Sequence, residues 1–140
     1  MIEMVLNKIR IDEKSEGQVI VLKEKDGCRS LPIIIGISEV AAIKRNLTGI
    51  QPPRPMTHDL LANIIYALGA KLERVVIDRI EANTFFAKLV LKVKGKGRQR
   101  TVVVDSRPSD SIALAVRVEA PIFIEDEVFE TLKKYEGQVF

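Results

Sequence analysis

Residues 112–116, Ile-Ala-Leu-Ala-Val, carry no polar side chain on any side of the helix that "SRPSDSIALAVRVEA" would form. A helix that is apolar all round is a buried helix. The chain must therefore supply cover for it, and Pro108 suits its first turn.

Strands supply that cover. Residues 71–81 and 84–94 read as two strands around a turn at Asn83, and the second alternates well. Phe85, Ala87, Leu89, Leu91 and Val93 share one face; Lys88, Lys92 and Lys94 share the other. "GKG" at 95–97 makes a hairpin turn and 98–105 returns as a strand. Upstream, 2–11 and 18–24 read as strands around a polar turn, "DEKSEG", and 28–35 as a third. Its run Ile33-Ile34-Ile35 has no alternation, which predicts a strand covered on both faces. Downstream, 121–124 is a short strand.

Three more helices are predicted. Residues 38–47 place Val40, Ile43 and Leu47 at helical spacing, with Ser38 as N-cap and Gly49 as stop. "THDLLANIIYALG" carries a wide apolar stripe, Leu60, Leu61, Ile64, Ile65 and Leu68, with Thr57 as cap and Gly69 as end. "EDEVFETLKKY" closes the chain, acidic at its start and basic near its end, as the helix dipole favours. "PIIIGISEV" at 32–40 weakly echoes "PIFIEDEV" at 121–128. The element order predicts one α+β domain over 1–140, a mixed sheet packed with three to four helices.

Composition narrows the function classes. With 46% hydrophobic and 5% aromatic residues and no Trp, the core is aliphatic. A formal charge of +3 permits nucleic-acid binding without arguing for it. One Cys and one His exclude an internal disulfide and disfavour a structural zinc site. No basic-plus-apolar leader opens the chain and no apolar run approaches membrane-spanning length, so a soluble cytoplasmic protein without membrane association is expected. Apolar content this high predicts a homodimer or larger assembly. No GxSxG, P-loop, GxGxxG or HExxH pattern occurs.

Two segments combine acids, arginine and a proline-stiffened helix start. The first, "IQPPRPMTHDLL" at 50–61, holds Arg54, Thr57, His58 and Asp59; the second, "DSRPSDS" at 105–111, holds Asp105, Arg107, Ser109 and Asp110. First-turn N–H groups attract anions, phosphate included, and arginine adds a bidentate grip. The same residues also serve plain capping: an acid in a first turn stabilises a helix by about 0.3–1 kcal/mol. A third feature is "KVKGKGRQR", where Lys92, Lys94, Lys96, Arg98 and Arg100 fall without an acid. It reads either as a finger for phosphate backbones or as a solvated hairpin whose lysines discourage edge-to-edge pairing.

The blocks "PIIIGISEVAAI", "PPRPMTHDLL", "ERVVI", "DSRPSDSIALAVR" and "APIFI" follow one another as in the bifunctional nuclease domain family. The resemblance is strongest over residues 31–125 and implies a nuclease acting on RNA, DNA or both. In that reading His58, Asp59, Asp105 and Asp110 are the catalytic candidates. Arg54, Arg107, Ser109, Lys96, Arg98 and Arg100 are the phosphate-binding ones. Asp59, Asp105 and Asp110 would hold Mg²⁺ or Mn²⁺, since carboxylates suit hard cations; no organic cofactor is expected. The alternative is a non-catalytic, homo-oligomeric binding or regulatory domain whose helix-start pocket takes an anion. The two helix-start segments are expected to lie side by side in either case.

Overall fold

The computed structural model describes residues 1–11 and 18–133; the turn read at 12–17 and the end of the closing helix from 134 lie outside them. Within the described residues the elements run β1 (Ile2–Ile11), β2 (Gln18–Glu24), β3 (Ser30–Ile35), α1 (Ile37–Thr48) and α2 (Thr57–Ala67). Then follow β4 (Ala70–Glu81), β5 (Thr84–Lys94), β6 (Gln99–Ser106), α3 (Pro108–Val118), β7 (Ile122–Ile124) and α4 (Asp126–Lys133). The described strands form one seven-stranded sheet, ordered β3-β2-β1-β7-β4-β5-β6. Every pairing is antiparallel except β4 with β7, so the sheet is mixed and the fold is α+β.

Two antiparallel meanders make up this sheet. In β1–β3, Met4, Ile20, Leu22, Leu31 and Ile33 are buried. The β4–β5 hairpin turns through Ala82 and Asn83, both with positive φ (48° and 63°). Two such residues match the right-handed twist of the flanking strands, and Asn tolerates that region better than most. The three residues of β7 join the meanders, pairing with β1 on one side and β4 on the other. Consecutive Val75, Val76 and Ile77 in β4 are all buried, so the centre of the sheet is covered on both faces.

The all-apolar helix takes the expected place. α3 packs against α1, α2, β4 and β5, and Ile112, Ala113, Leu114 and Ala115 are at most 1% exposed. α4 packs on β4 and buries Val128 and Phe129.

Three local expectations are corrected. The isoleucine run lies in an edge strand covered on one face: Ile33 and Ile35 are each 3% exposed, Ile34 70%. Pro32 is tolerated there because an edge strand can spare an N–H. The N-caps fall at Gly36 and Met56, one to two residues before Ser38 and Thr57, so neither predicted hydroxyl holds the cap position. The apolar stripe of α2 does not face the core. Leu60, Leu61, Ile64 and Leu68 are exposed, and the buried residue of this helix is His58. Only Ala62 and Ile65 lean on the core.

Candidate functional site

The first turns of α1, α2 and α3 meet because α3 packs against both other helices. Arg107 occupies the N-cap position of α3 with extended backbone, and Pro108 presets the first helical φ. That entry turns Arg107 back over its own helix start. Its Nε donates to Asp110 Oδ2 at 2.9 Å. One terminal nitrogen of Arg107 donates to Glu39 Oε1 of α1 at 2.9 Å. The other oxygen of Asp110, Oδ1, lies 3.0 Å from His58 Nε2 of α2. A carboxylate oxygen only accepts, so this pairing places a hydrogen on Nε2. The result is one polar chain, His58–Asp110–Arg107–Glu39, that joins three helix starts. His58 at one end is buried and Glu39 at the other is largely so, while Arg107 between them is open to water.

Asp59, next to His58, makes the other crossing. Its Oδ2 accepts the Met56 N–H at 3.0 Å, which satisfies an otherwise free donor at the start of α2. Its Oδ1 accepts from Arg117 Nε at 2.7 Å, near the end of α3. The start of α2 thus straddles α3, with His58 reaching its first turn and Asp59 its last. The Met56 N–H first, and the Arg117 guanidinium second, hold the Asp59 carboxyl below the usual range. Asp110 first, and Glu39 after it, stabilise the Arg107 cation beyond its ordinary value.

Beside this crossing the proline segment walls a cavity of about 280 Å³. Arg45, Arg54, Arg117, Asp59 and Asn63 line it. Its lining thus holds three arginines and one aspartate, and Arg117 already pairs with that aspartate. Such a cavity suits an anion of phosphate type.

The residues singled out from sequence separate into three groups. Arg54 and Asp59 line the cavity at the Arg117 end of α3, while His58, Arg107 and Asp110 come together, so the two helix-start segments lie side by side. Ser109 is beside them but only 8% exposed. Asp105 is exposed at the end of β6, and among the described residues no ion pair reaches it. Among the described residues no three His, Cys, Asp or Glu side chains gather as a metal-holding group. Asp59 and Asp110 are each engaged by a guanidinium, so Asp59, Asp105 and Asp110 do not fit one shared Mg²⁺ or Mn²⁺ site in this arrangement.

Lys96, Arg98 and Arg100 stand elsewhere. The Lys94 N–H donates to Gly69 O at 3.1 Å, which fixes the basic hairpin at the far end of α2. The rise of about 1.5 Å per residue from His58 to the helix end at Ala67 puts that end about 14 Å away. Lys92 is held within the sheet by Thr101 Oγ1 at 2.8 Å, while Lys96, Arg98 and Arg100 are exposed.

Sequence reasoning missed Glu39, Arg45 and Arg117 as site residues. A signal existed for Arg117: it lies seven residues after Asp110, two helical turns along the same face. Glu39 and Arg45 reach the site only through the packing of α1 on α3, which no local pattern encodes.

Comparison with known proteins adds a separate observation. The profile of a family described as "Bifunctional nuclease domain" matches residues 20–136. An uncharacterized protein of Mycobacterium tuberculosis is 43% identical over 120 residues, covering 86% of this chain and 69% of its own length. "Bifunctional nuclease 1" of Arabidopsis thaliana is 32% identical over 104 residues, 74% of this chain and 32% of its own length. "Bifunctional nuclease 1" of Oryza sativa subsp. japonica is 28% identical over 115 residues, 81% of this chain and 34% of its own length. The chain therefore corresponds to about a third of each plant protein.

Proposed function

This chain belongs to the bifunctional nuclease domain family, and from that premise we propose that it hydrolyses phosphodiester bonds of RNA or DNA at the joined starts of α2 and α3. One observation carries the reading: His58 and Asp110, 52 residues apart in sequence, form a hydrogen-bonded pair whose exposed neighbour is Arg107. Hydrolysis needs an acceptor for the proton of the attacking water and cations for the charge that develops on phosphorus-bound oxygens. The His58–Asp110 pair is the acceptor. Arg107 and Arg54 are the cations, and both present planar, bidentate donors. Mg²⁺ is commonly held by one or two carboxylates together with substrate phosphates, so the chelator arm of the experiment below decides whether a cation takes part.

A second reading is favoured by a different observation. His58 is 6% exposed and both oxygens of Asp110 are occupied, which is also how a purely structural tether looks. The chain is then a binding or regulatory domain, and the Arg45–Arg54–Arg117 cavity is its anion site. The experiment is cleavage of single-stranded RNA and DNA by the purified chain, with and without EDTA and added Mn²⁺, beside Asp110→Asn and Arg54→Gln. Nuclease function predicts cleavage that Asp110→Asn removes while nucleic-acid affinity persists. No cleavage by a folded chain under any metal condition would leave the binding reading in place.

A further inference from the structure

On α2 and its C-cap, Leu60 is 52% exposed, Leu61 39%, Ile64 45%, Tyr66 84% and Leu68 74%, and Met56 before them is 47% exposed. Tyr66 lies about 200° round the helix from Ile64; at roughly 180 Å² for a fully exposed apolar side chain, the other five leave on the order of 460 Å² of apolar surface in water. That is within the range of the largest patch on a monomer, and more than half of the about 800 Å² each partner contributes to a standard interface. From Thr57 to Ala67 the one charged side chain is Asp59, already paired with Arg117. Two copies of this face can meet without like-charge repulsion, although the chain as a whole is cationic.

We propose that the α2 face is the contact with a second copy of this chain, the two helices running antiparallel about a two-fold axis at Ile64. Leu60, Ile64 and Leu68 form one row at four-residue spacing, symmetric about its middle member. Under that axis Ile64 meets the partner's Ile64, and Leu60 meets the partner's Leu68. The Leu60–Leu68 contact occurs twice, as a two-fold, self-complementary interface requires.

The pairing has a consequence for the site, and this part rests on the nuclease reading. Within one chain the basic hairpin and His58 lie at opposite ends of α2. Antiparallel pairing brings the partner's hairpin to the His58 end, so cations from one copy and the His58–Asp110 pair from the other border one composite site.

The test uses the full chain with Cys28→Ser as background, since Cys28 is an exposed free thiol. Light scattering at tens of micromolar should give twice 15.7 kDa. Ile64→Asp should give one chain's mass with an unchanged circular dichroism spectrum. On mild oxidation Ile64→Cys should cross-link to itself. Leu60→Cys and Leu68→Cys should cross-link when mixed and not when alone. A single-chain mass for the parent protein assigns the face to some other occupant and overturns the proposal. Efficient cross-linking of Leu68→Cys alone overturns the antiparallel arrangement. If the parent protein cleaves nucleic acid, mixing His58→Ala with Lys96→Gln/Arg98→Gln/Arg100→Gln should restore cleavage that each lacks alone. Failure to do so, with the dimer intact, overturns the composite site. If the parent protein does not cleave, the mass and cross-linking results still decide the interface.

Discussion

Asp110→Ala is the perturbation that the site geometry makes most demanding. His58 is 6% exposed, and Asp110 is its partner at 3.0 Å. A buried donor left without a partner costs about 1–3 kcal/mol. Asp110 is also the third residue of α3, where a negative charge stabilises the helix by about 0.3–1 kcal/mol. Its pairing with Arg107 adds little, because the Arg107 side chain is 68% exposed and such pairs contribute about 0–1 kcal/mol. The expected loss is about 2–4 kcal/mol, read by urea unfolding as a lower midpoint at unchanged m-value. Asp105→Ala is the internal control. It removes an exposed carboxylate three residues outside the helix interior, so it should change stability by less than about 0.5 kcal/mol. A double-mutant cycle with His58→Ala should show coupling of about 1 kcal/mol or more. Asp110→Ala behaving like Asp105→Ala, or a cycle with no coupling, would mean that the three helix starts do not depend on this chain of bonds.

Two further outcomes follow from the neighbouring charges. Asp59 is ionised more readily in the folded chain than in the unfolded one, so its stabilisation is complete above the unfolded value of about 3.9 and fades as pH falls through the lower native value. The stability gap between the parent chain and Asp59→Asn should therefore be constant from about pH 5 to 8 and close below about pH 4; a gap that persists undiminished at about pH 2 contradicts the assignment. For single-stranded nucleic acid, Lys96→Gln/Arg98→Gln/Arg100→Gln should make the log–log salt dependence of binding shallower by roughly two to three phosphate contacts at about 0.7 each, while the unfolding midpoint stays put. An unchanged slope would return the hairpin to the role of a solvated edge.

Much of this architecture is legible in local sequence, because period and punctuation act locally. The alternation of β5, the Asn83 turn, the stop at Gly49 and the buried centre of α3 all follow from residues within a few positions of one another. Errors arose where the answer lay in the neighbouring element. Ile33-Ile34-Ile35 reads as doubly covered, yet nothing in three isoleucines says that the strand is at an edge. The α2 stripe has the correct period and the opposite orientation, since period does not say which side meets the core. At the site, the proline–arginine–acid pattern marks Arg54, His58, Asp59, Arg107 and Asp110. The partners that orient them, Glu39 and Arg117, come from helix packing. The nuclease reading named Asp59, Asp105 and Asp110 as metal candidates; what their sequence positions do not show is that Asp59 pairs with Arg117 and Asp110 with Arg107, while Asp105 is exposed at the end of β6.

The strand β7 sets an order of events during folding. Each meander is built from hairpins of neighbouring segments, so β1–β3 and β4–β6 can form from nearby residues early and quickly. Among the described residues nothing pairs β1 with β4 directly; Ile122–Ile124 must slot between them, parallel to β4 and antiparallel to β1. During synthesis both half-sheets must wait, with one inner edge each unpaired, until these three residues have left the ribosome. Those inner edges are the surfaces at which two nascent chains could exchange strands, and the time spent waiting for Ile122–Ile124 is the period of greatest risk.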